Sequence, residues 1–212
     1  MRVIAGQAKG RRLKPVPGDT TRPITDRAKE ALFSILGDAV DGARFLDLFG
    51  GTGAVGIEAL SRGAAHATFV DLEPRAVATI RANLAHTGLE GAARVVRGDA
   101  FALLRKDRRA AYDIIYIAPP QYKGLWRTAL LAIDAAPDAL SDEGLAIVQI
   151  HPREEQKDLA LANLVEVDRR LYGSVRLLFY AKRPLDVEAD GAVDIAVDVE
   201  AANAAADGVD PT

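Results

Sequence analysis

Cysteine is absent from the 212 residues, which excludes disulfides, thiolate metal sites and a thiol nucleophile for covalent attack on a pyrimidine carbon. Histidine is scarce. His66, His86 and His151 are far apart and show no metal-ligand spacing, so no metal is expected and each reads as a surface or helix-end residue. No apolar run approaches the roughly 20 residues needed to span a bilayer. The opening Met1–Gly10 has too short an apolar stretch for a secretory signal. The expectation is a cytoplasmic chain with no membrane partner. Nothing in the sequence demands an oligomer, and a monomer is expected.

Basic side chains are missing from the last stretch: residues 184–212 hold eight acids and no Lys, Arg or aromatic. The remaining 22 acids and all 27 bases leave residues 1–183 with a net charge of +5. Eight bases (Arg2, Lys9, Arg11, Arg12, Lys14, Arg22, Arg27 and Lys29) crowd the first 29 residues against Asp19 and Asp26. A basic front end suits a phosphate-rich partner, and a solvated pair of surface strands is the alternative. The expected organisation is a basic hairpin and helix over 1–40, an α/β domain over 41–183 and an acidic, disordered tail over 184–212.

The spacing predicts a hairpin from 2–5 and 11–14, bounded by Gly6 and Gly10. A loop over 15–23 follows, then a helix over 26–36, capped by Thr25 and ended by Gly37, with Ala28, Ala31, Leu32 and Ile35 on its inner face. Strands are expected near 44–49, 66–71, 93–97, 112–118 and 144–150, alternating with helices near 54–62, 74–87, 100–106, 123–136 and 153–160. This pattern implies a parallel sheet with right-handed crossovers. Strands near 164–171 and 175–182 are joined only by Tyr172-Gly173-Ser174, so they must run antiparallel to each other. The fold class is α/β, Rossmann-like, with a seven-stranded, mostly parallel sheet and an antiparallel last strand.

The most informative stretch is Phe45 to Leu60, a buried strand, a glycine turn and a helix start. Gly50, Gly51 and Gly53 allow a tight turn against which a ligand can lie, and Gly56 lets the helix pack close to the sheet. Gly51-Thr-Gly-Ala-Val-Gly56 fits the dinucleotide pattern G-x-G-x-x-G, a weak signal alone. Asp47 separates the readings, because a carboxylate there repels phosphates and welcomes an ammonium and a sulfonium. S-adenosylmethionine is therefore favoured over NAD, and a ligand-free packing turn is the third reading.

Asp71, at the end of the second strand and 20 residues after Gly51, has the offset of an acid that accepts from ribose hydroxyls. Glu73 is the weaker candidate and suits the next helix start. Asp99, at the third strand end, is placed either to accept from an adenine amine or to cap the following helix. The fourth strand opens into Ala118-Pro119-Pro120-Gln121-Tyr122. Two prolines make a rigid turn whose carbonyls can hold an exocyclic amine, with Tyr122 as a stacking platform.

Residues 1 to 183 resemble the bacterial 16S rRNA guanine-N2 methyltransferases of the small-subunit type. The likeness rests on Arg2-Val-Ile-Ala-Gly with Lys9-Gly-Arg-Arg-Leu13, on Thr21-Arg-Pro-Ile-Thr-Asp-Arg27 and Lys29-Glu-Ala-Leu-Phe-Ser-Ile-Leu36, and on Phe45 to Leu60. Asp113-Ile-Ile and Gly173-Ser-Val-Arg-Leu-Leu-Phe-Tyr180 fit as well. The resemblance implies S-adenosylmethionine-dependent methylation of a guanine N2 amine in 16S rRNA or the assembling small subunit. It implies cofactor contacts from Asp47, Phe49, Gly50, Gly51, Gly53, Asp71, Leu72, Asp99 and Ala100. It implies RNA contacts from Arg2, Lys9, Arg11, Arg12, Arg22 and Arg27, and a target pocket at residues 118–122. One departure stands out: the family turn D-P-P-[FY] is A-P-P-Q-Y here, with Ala118 for the acid and Gln121 before the aromatic. An inactive RNA-binding relative and a DNA amine methyltransferase are the alternatives.

Overall fold

The computed structural model describes residues 1–18, 24–106, 111–156 and 159–184; Arg22 and the acidic tail beyond residue 184 lie outside them. Seven strands form one sheet: β1 (Arg44–Asp47), β2 (His66–Asp71), β3 (Ala93–Arg97), β4 (Tyr112–Ile117), β5 (Leu140–Ile150), β6 (Leu164–Tyr172) and β7 (Val175–Lys182). Their order is β3-β2-β1-β4-β5-β7-β6. The first five are parallel to one another. Strand β7 enters between β5 and β6 and is antiparallel to both. The two-residue turn Gly173–Ser174 left β6 and β7 no other choice, since a parallel crossover needs a dozen residues or more.

Helices α1 (Asp26–Leu36), α2 (Ala54–Ser61), α3 (Pro74–Thr87), α4 (Ala100–Lys106) and α5 (Leu125–Asp134) fill the intervals. Strands in the centre are apolar on both faces because both are covered. Phe45, Phe69, Ile114 and Ile147 pack with α1 and α2 residues on one side. Leu46, Val70, Ile115 and Val148 pack with Trp126 and Leu130 of α5 on the other.

The helix expected near 153–160 is instead a single 3-10 turn, Pro152–Glu154. His151 caps it, and the Glu154 carboxylate accepts the His151 N–H in return (3.1 Å). Glu155 then reverts to extended backbone, and its carboxylate is held by Arg169 at 2.7 Å and Arg176 at 3.3 Å. Strand β5 begins four residues earlier than expected, at Leu140, with an irregular register opposite Tyr112–Ile114.

Thr25 caps α1 through the Ala28 N–H (3.2 Å), and Gly37 ends it at a φ of +50°. Its inner face is turned from the expected one: Ala28, Lys29, Leu32, Phe33 and Leu36 are buried, whereas Ile35 is 38% exposed. The cause is ionic. Lys29 and Glu58 of α2 are both fully buried, with Lys29 Nζ 3.0 Å from Glu58 Oε2. Arg62 Nε holds the other oxygen at 2.9 Å and lies over the Phe33 ring.

The same carboxylate anchors the arm. The Ile4 and Ala5 N–H groups donate to Glu58 at 2.8 and 3.0 Å. The antiparallel pairing is one bridge, Arg2 to Arg12, flanked by Val3 N–H to the Arg11 carbonyl at 2.9 Å and Leu13 N–H to the Met1 carbonyl at 3.3 Å. Lys29 Nζ also donates to the Arg2 carbonyl (2.5 Å). Ser61 bonds Ala5 and Ala8, and Gly6 lies so close that a Cβ would meet the Ser61 carbonyl oxygen at 1.7 Å. Replacing Glu58 by Leu strands Lys29 and two N–H groups in the core, which costs about 3–5 kcal/mol. Urea unfolding is expected to register that loss, and a change below about 1 kcal/mol would deny Glu58 this role.

Candidate active site

In a parallel sheet the segments after each strand collect at the carboxyl edge, so β1, β2, β3, β4 and β5 deliver their loops to one crevice. The turn after β1 is braced from within. Gly50 N–H donates to the Val70 carbonyl (2.8 Å) and Gly53 N–H to the Gly50 carbonyl (2.7 Å). Gly51 and Gly53 sit at φ of +54° and +77°, a region costly for residues with a Cβ. A Cβ on Gly56 would enter the Phe69 ring at 2.3 Å, so glycine sets the helix-to-sheet distance. A Cβ on Gly51 would meet nothing nearer than 4.0 Å, which leaves that face of the turn open for a ligand.

Two acids flank the turn. Asp71 accepts from Gly51 N–H and Glu73 N–H, both at 2.8 Å, so it orients the turn and keeps lone pairs for an incoming hydroxyl. Asp47 is 2% exposed and accepts one long bond, from the Gly56 N–H at 3.3 Å. Burial pushes its carboxyl up to about 8, the Gly56 bond opposing and the Asp71 charge adding to the rise. A buried acid so thinly satisfied suits a cation, which would favour its charged form.

Farther along the edge, Leu72 is 68% exposed directly after Asp71. Asp99 accepts from the Ala102 N–H at 2.7 Å and so caps α4. Ala100 is buried, and Phe49 meets Phe101 edge to face with ring centres 6.3 Å apart. Phe101 was not singled out in the sequence, since one aromatic on an amphipathic helix carries no signal of its own. Glu73 caps α3 through Arg75 N–H.

The proline turn leaves β4 beside these groups, because Asp47 pairs with Tyr116. Ala118 is half-buried, Pro119 buried, and Pro120, Gln121 and Tyr122 exposed. Tyr122 has a φ of +60°, the sole described non-glycine residue in that region. Its N–H donates to Glu154 Oε2 (2.6 Å), and its ring lies 6.1 Å from that of His151. The buried Tyr116 hydroxyl donates to Gln149. Burial and the Asp47 charge hold that phenol well above its usual range, so it stays a donor.

Of the basic arm, Arg2, Lys9, Arg11, Arg12 and Arg27 are exposed. Arg2 faces Asp26 at 3.6 Å, and the Arg11 guanidinium donates to the His86 carbonyl. Asn83, fully buried on α3, bonds the Lys14 backbone at 2.8 and 3.1 Å and the Thr52 carbonyl at 2.9 Å. The arm is thereby tied to the glycine turn across 69 positions of sequence. Cavities of about 250 and 280 Å³ lie elsewhere, beside β6 and β7 and at the opposite sheet edge. Among the described residues, no helix is long and apolar enough to cross a membrane.

The family profile described as conserved hypothetical protein 95 matches residues 1–181. A Bacillus subtilis (strain 168) protein named "Putative rRNA methyltransferase YlbH" is 40% identical over 185 residues, 86% of this chain and 100% of that protein. "Ribosomal RNA small subunit methyltransferase D" of Escherichia coli (strain K12) is 38% identical over 150 residues, 70% of this chain and 74% of that one. A solved structure titled "Putative methyltransferase yhhF from Escherichia coli" superposes with a TM-score of 0.73 at 35% identity, covering 86% of this chain and 97% of that chain.

The Asp47 carboxyl binds its proton more tightly folded than unfolded, so its contribution to stability falls as pH rises from about 4 towards about 8. Asp47→Asn removes that liability. Urea unfolding is expected to find the variant more stable than the parent by about 2–5 kcal/mol at pH 8.5, with the advantage vanishing near pH 4. A pH-independent difference would contradict this.

Proposed function

We propose, from the premise that the chain belongs to the conserved hypothetical protein 95 family, that it uses S-adenosylmethionine to methylate the exocyclic N2 amine of a guanine in small-subunit ribosomal RNA. The observation that carries the reading is Asp47, a buried acid on the floor of a glycine turn, which an approaching ammonium or sulfonium would ionise and hold. Asp47, Gly50, Gly51 and Gly53 would hold the amino-acid portion and sulfonium, Asp71 the ribose, and Phe49, Leu72, Asp99 and Ala100 the adenine. When bound, this cofactor supplies a methyl group on a positively charged sulfur.

Asp47 has to shed its proton to meet that charge, so binding tightens as pH rises through its range. Asp71 keeps the turn in shape through the Gly51 N–H. The Pro119 carbonyl and the Gln121 side-chain carbonyl accept from the target amine, and Tyr122 stacks on the base. Ala118 offers no acceptor, so the amine's proton leaves to water, and positioning supplies the rate. Lys9, Arg11, Arg12 and Arg27, with Arg2 and Arg22, contact RNA phosphates. The family names of relatives acting on ribosomal RNA support that substrate. The division into arm, catalytic domain and acidic tail, the cytoplasmic location and the monomeric state belong to the same proposal.

Ala118 favours one second reading, a family member that binds RNA and cofactor without transfer. Labelled S-adenosylmethionine offered with undermodified small subunits, naked rRNA and DNA separates these. Label is expected in rRNA, located by mass spectrometry as N2-methylguanine. Label in DNA alone, or none despite tight binding, would overturn the proposal.

Calorimetry is expected to detect S-adenosylmethionine and no NAD, with affinity rising from pH 6.5 to 8.5 in the parent and flat in Asp47→Asn. Gln121→Ala is expected to lower turnover on RNA about tenfold or more and leave cofactor binding within twofold. Equal turnover would remove Gln121 from the mechanism.

A further inference from the structure

Tyr122 is the conformational exception of this molecule. Among the described residues it alone has a side chain and a positive φ, +60°. An aromatic residue held there costs on the order of 1–3 kcal/mol and persists only where its surroundings enforce it. Its ring is 66% exposed, so core packing is not the enforcer. The backbone is. The Tyr122 N–H donates to Glu154 Oε2 at 2.6 Å, a short, charge-assisted bond.

Glu154 is itself built in. Its other oxygen accepts the His151 N–H at 3.1 Å, and His151 Nδ1 accepts the Arg153 N–H at 3.2 Å. The half-buried carboxylate therefore ties the turn after β4 to the turn after β5, neighbouring parallel strands. The His151 ring stands 6.1 Å from the Tyr122 ring at 43°, on the side of the same anchor.

We infer that Glu154 is a positioning residue for base recognition: its carboxylate locks the Tyr122 backbone in the left-handed conformation that presents the ring as a stacking platform for the target nucleobase. The inference rests on the nucleobase reading of the proline turn. It also accounts for a turn that lacks the motif acid at Ala118, since an acid from the neighbouring loop steadies the turn without touching the amine. Without the lock, the ring samples several poses, and apparent affinity falls by the fraction of time spent in the productive one.

Methyl transfer to undermodified rRNA is measured for the parent, Glu154→Ala, Glu154→Gln, Tyr122→Ala and the Glu154→Ala/Tyr122→Ala pair. Glu154→Ala is expected to raise KM for RNA about tenfold with cofactor affinity and Tm unchanged. Glu154→Gln keeps one acceptor and falls between it and the parent. In the Tyr122→Ala background, Glu154→Ala is expected to add no further loss, because both act through one ring. Full additivity, or a loss of kcat with KM unchanged in both Glu154→Gln and Glu154→Ala, would overturn the inference. A second readout needs no activity: in protein labelled with fluorotyrosine, the Tyr122 resonance, assigned with Tyr122→Phe, is expected to shift and narrow in Glu154→Ala. An unchanged resonance would also overturn it. Absence of transfer in the parent would defeat the proposed function and leave this resonance to judge Glu154.

Discussion

A single buried carboxylate organises the front of this molecule. Glu58 has no contact with solvent, and four donors reach it: the Ile4 and Ala5 N–H groups, Lys29 Nζ and Arg62 Nε. An ion so buried is tolerable only when every lone pair is met. That requirement ties both the basic arm and α1 to α2. Since α2 is the helix that leaves the glycine turn, the arm is carried to the rim of the site by the same contact. Asn83 repeats the connection at a second point, between Lys14 and Thr52.

The second organising constraint is the direction of the strands. Five parallel strands place Asp47, Asp71, Asp99, the proline turn and His151 at one edge, although they span more than a hundred positions of sequence. A division of labour among the acids follows from their surroundings. Asp47 is buried with one long bond and holds a proton near neutrality. Asp71 braces the turn and remains an acceptor. Asp99 is engaged with the start of α4. Glu154, from outside the sequence motifs, braces the target side. The crevice thus has one acid suited to a cation and another that stiffens the opposite wall.

Much of the frame was legible in advance because it depends on local regularities. Strand and helix spacing, the short Tyr172–Ser174 link and the caps at Thr25 and Glu73 are short-range facts, and the folded chain keeps them. Where the fold departs from local periodicity, distant partners are involved. Ile35 shares a face with Ala28 and Leu32 by periodicity, but the covered face is the one with Phe33, Leu36 and the Lys29–Glu58 pair. The segment after Pro152 has helical spacing, yet Glu155 is extended and held by Arg169 and Arg176.

For the site the same division holds, with a physical cause. The sequence alone determined that a glycine turn between two strand-end acids would exist and that a Pro-Pro turn would follow the fourth strand. Those are statements about backbone freedom and residue order, which neighbours in the chain settle. Only the tertiary structure decided that Asp47 would be buried and hold its proton, that Glu154 would reach Tyr122, and that the arm would lock onto α2. Each of these is a matter of desolvation or of hydrogen bonds between groups far apart in the chain, and such energies have no value until the fold brings the groups together.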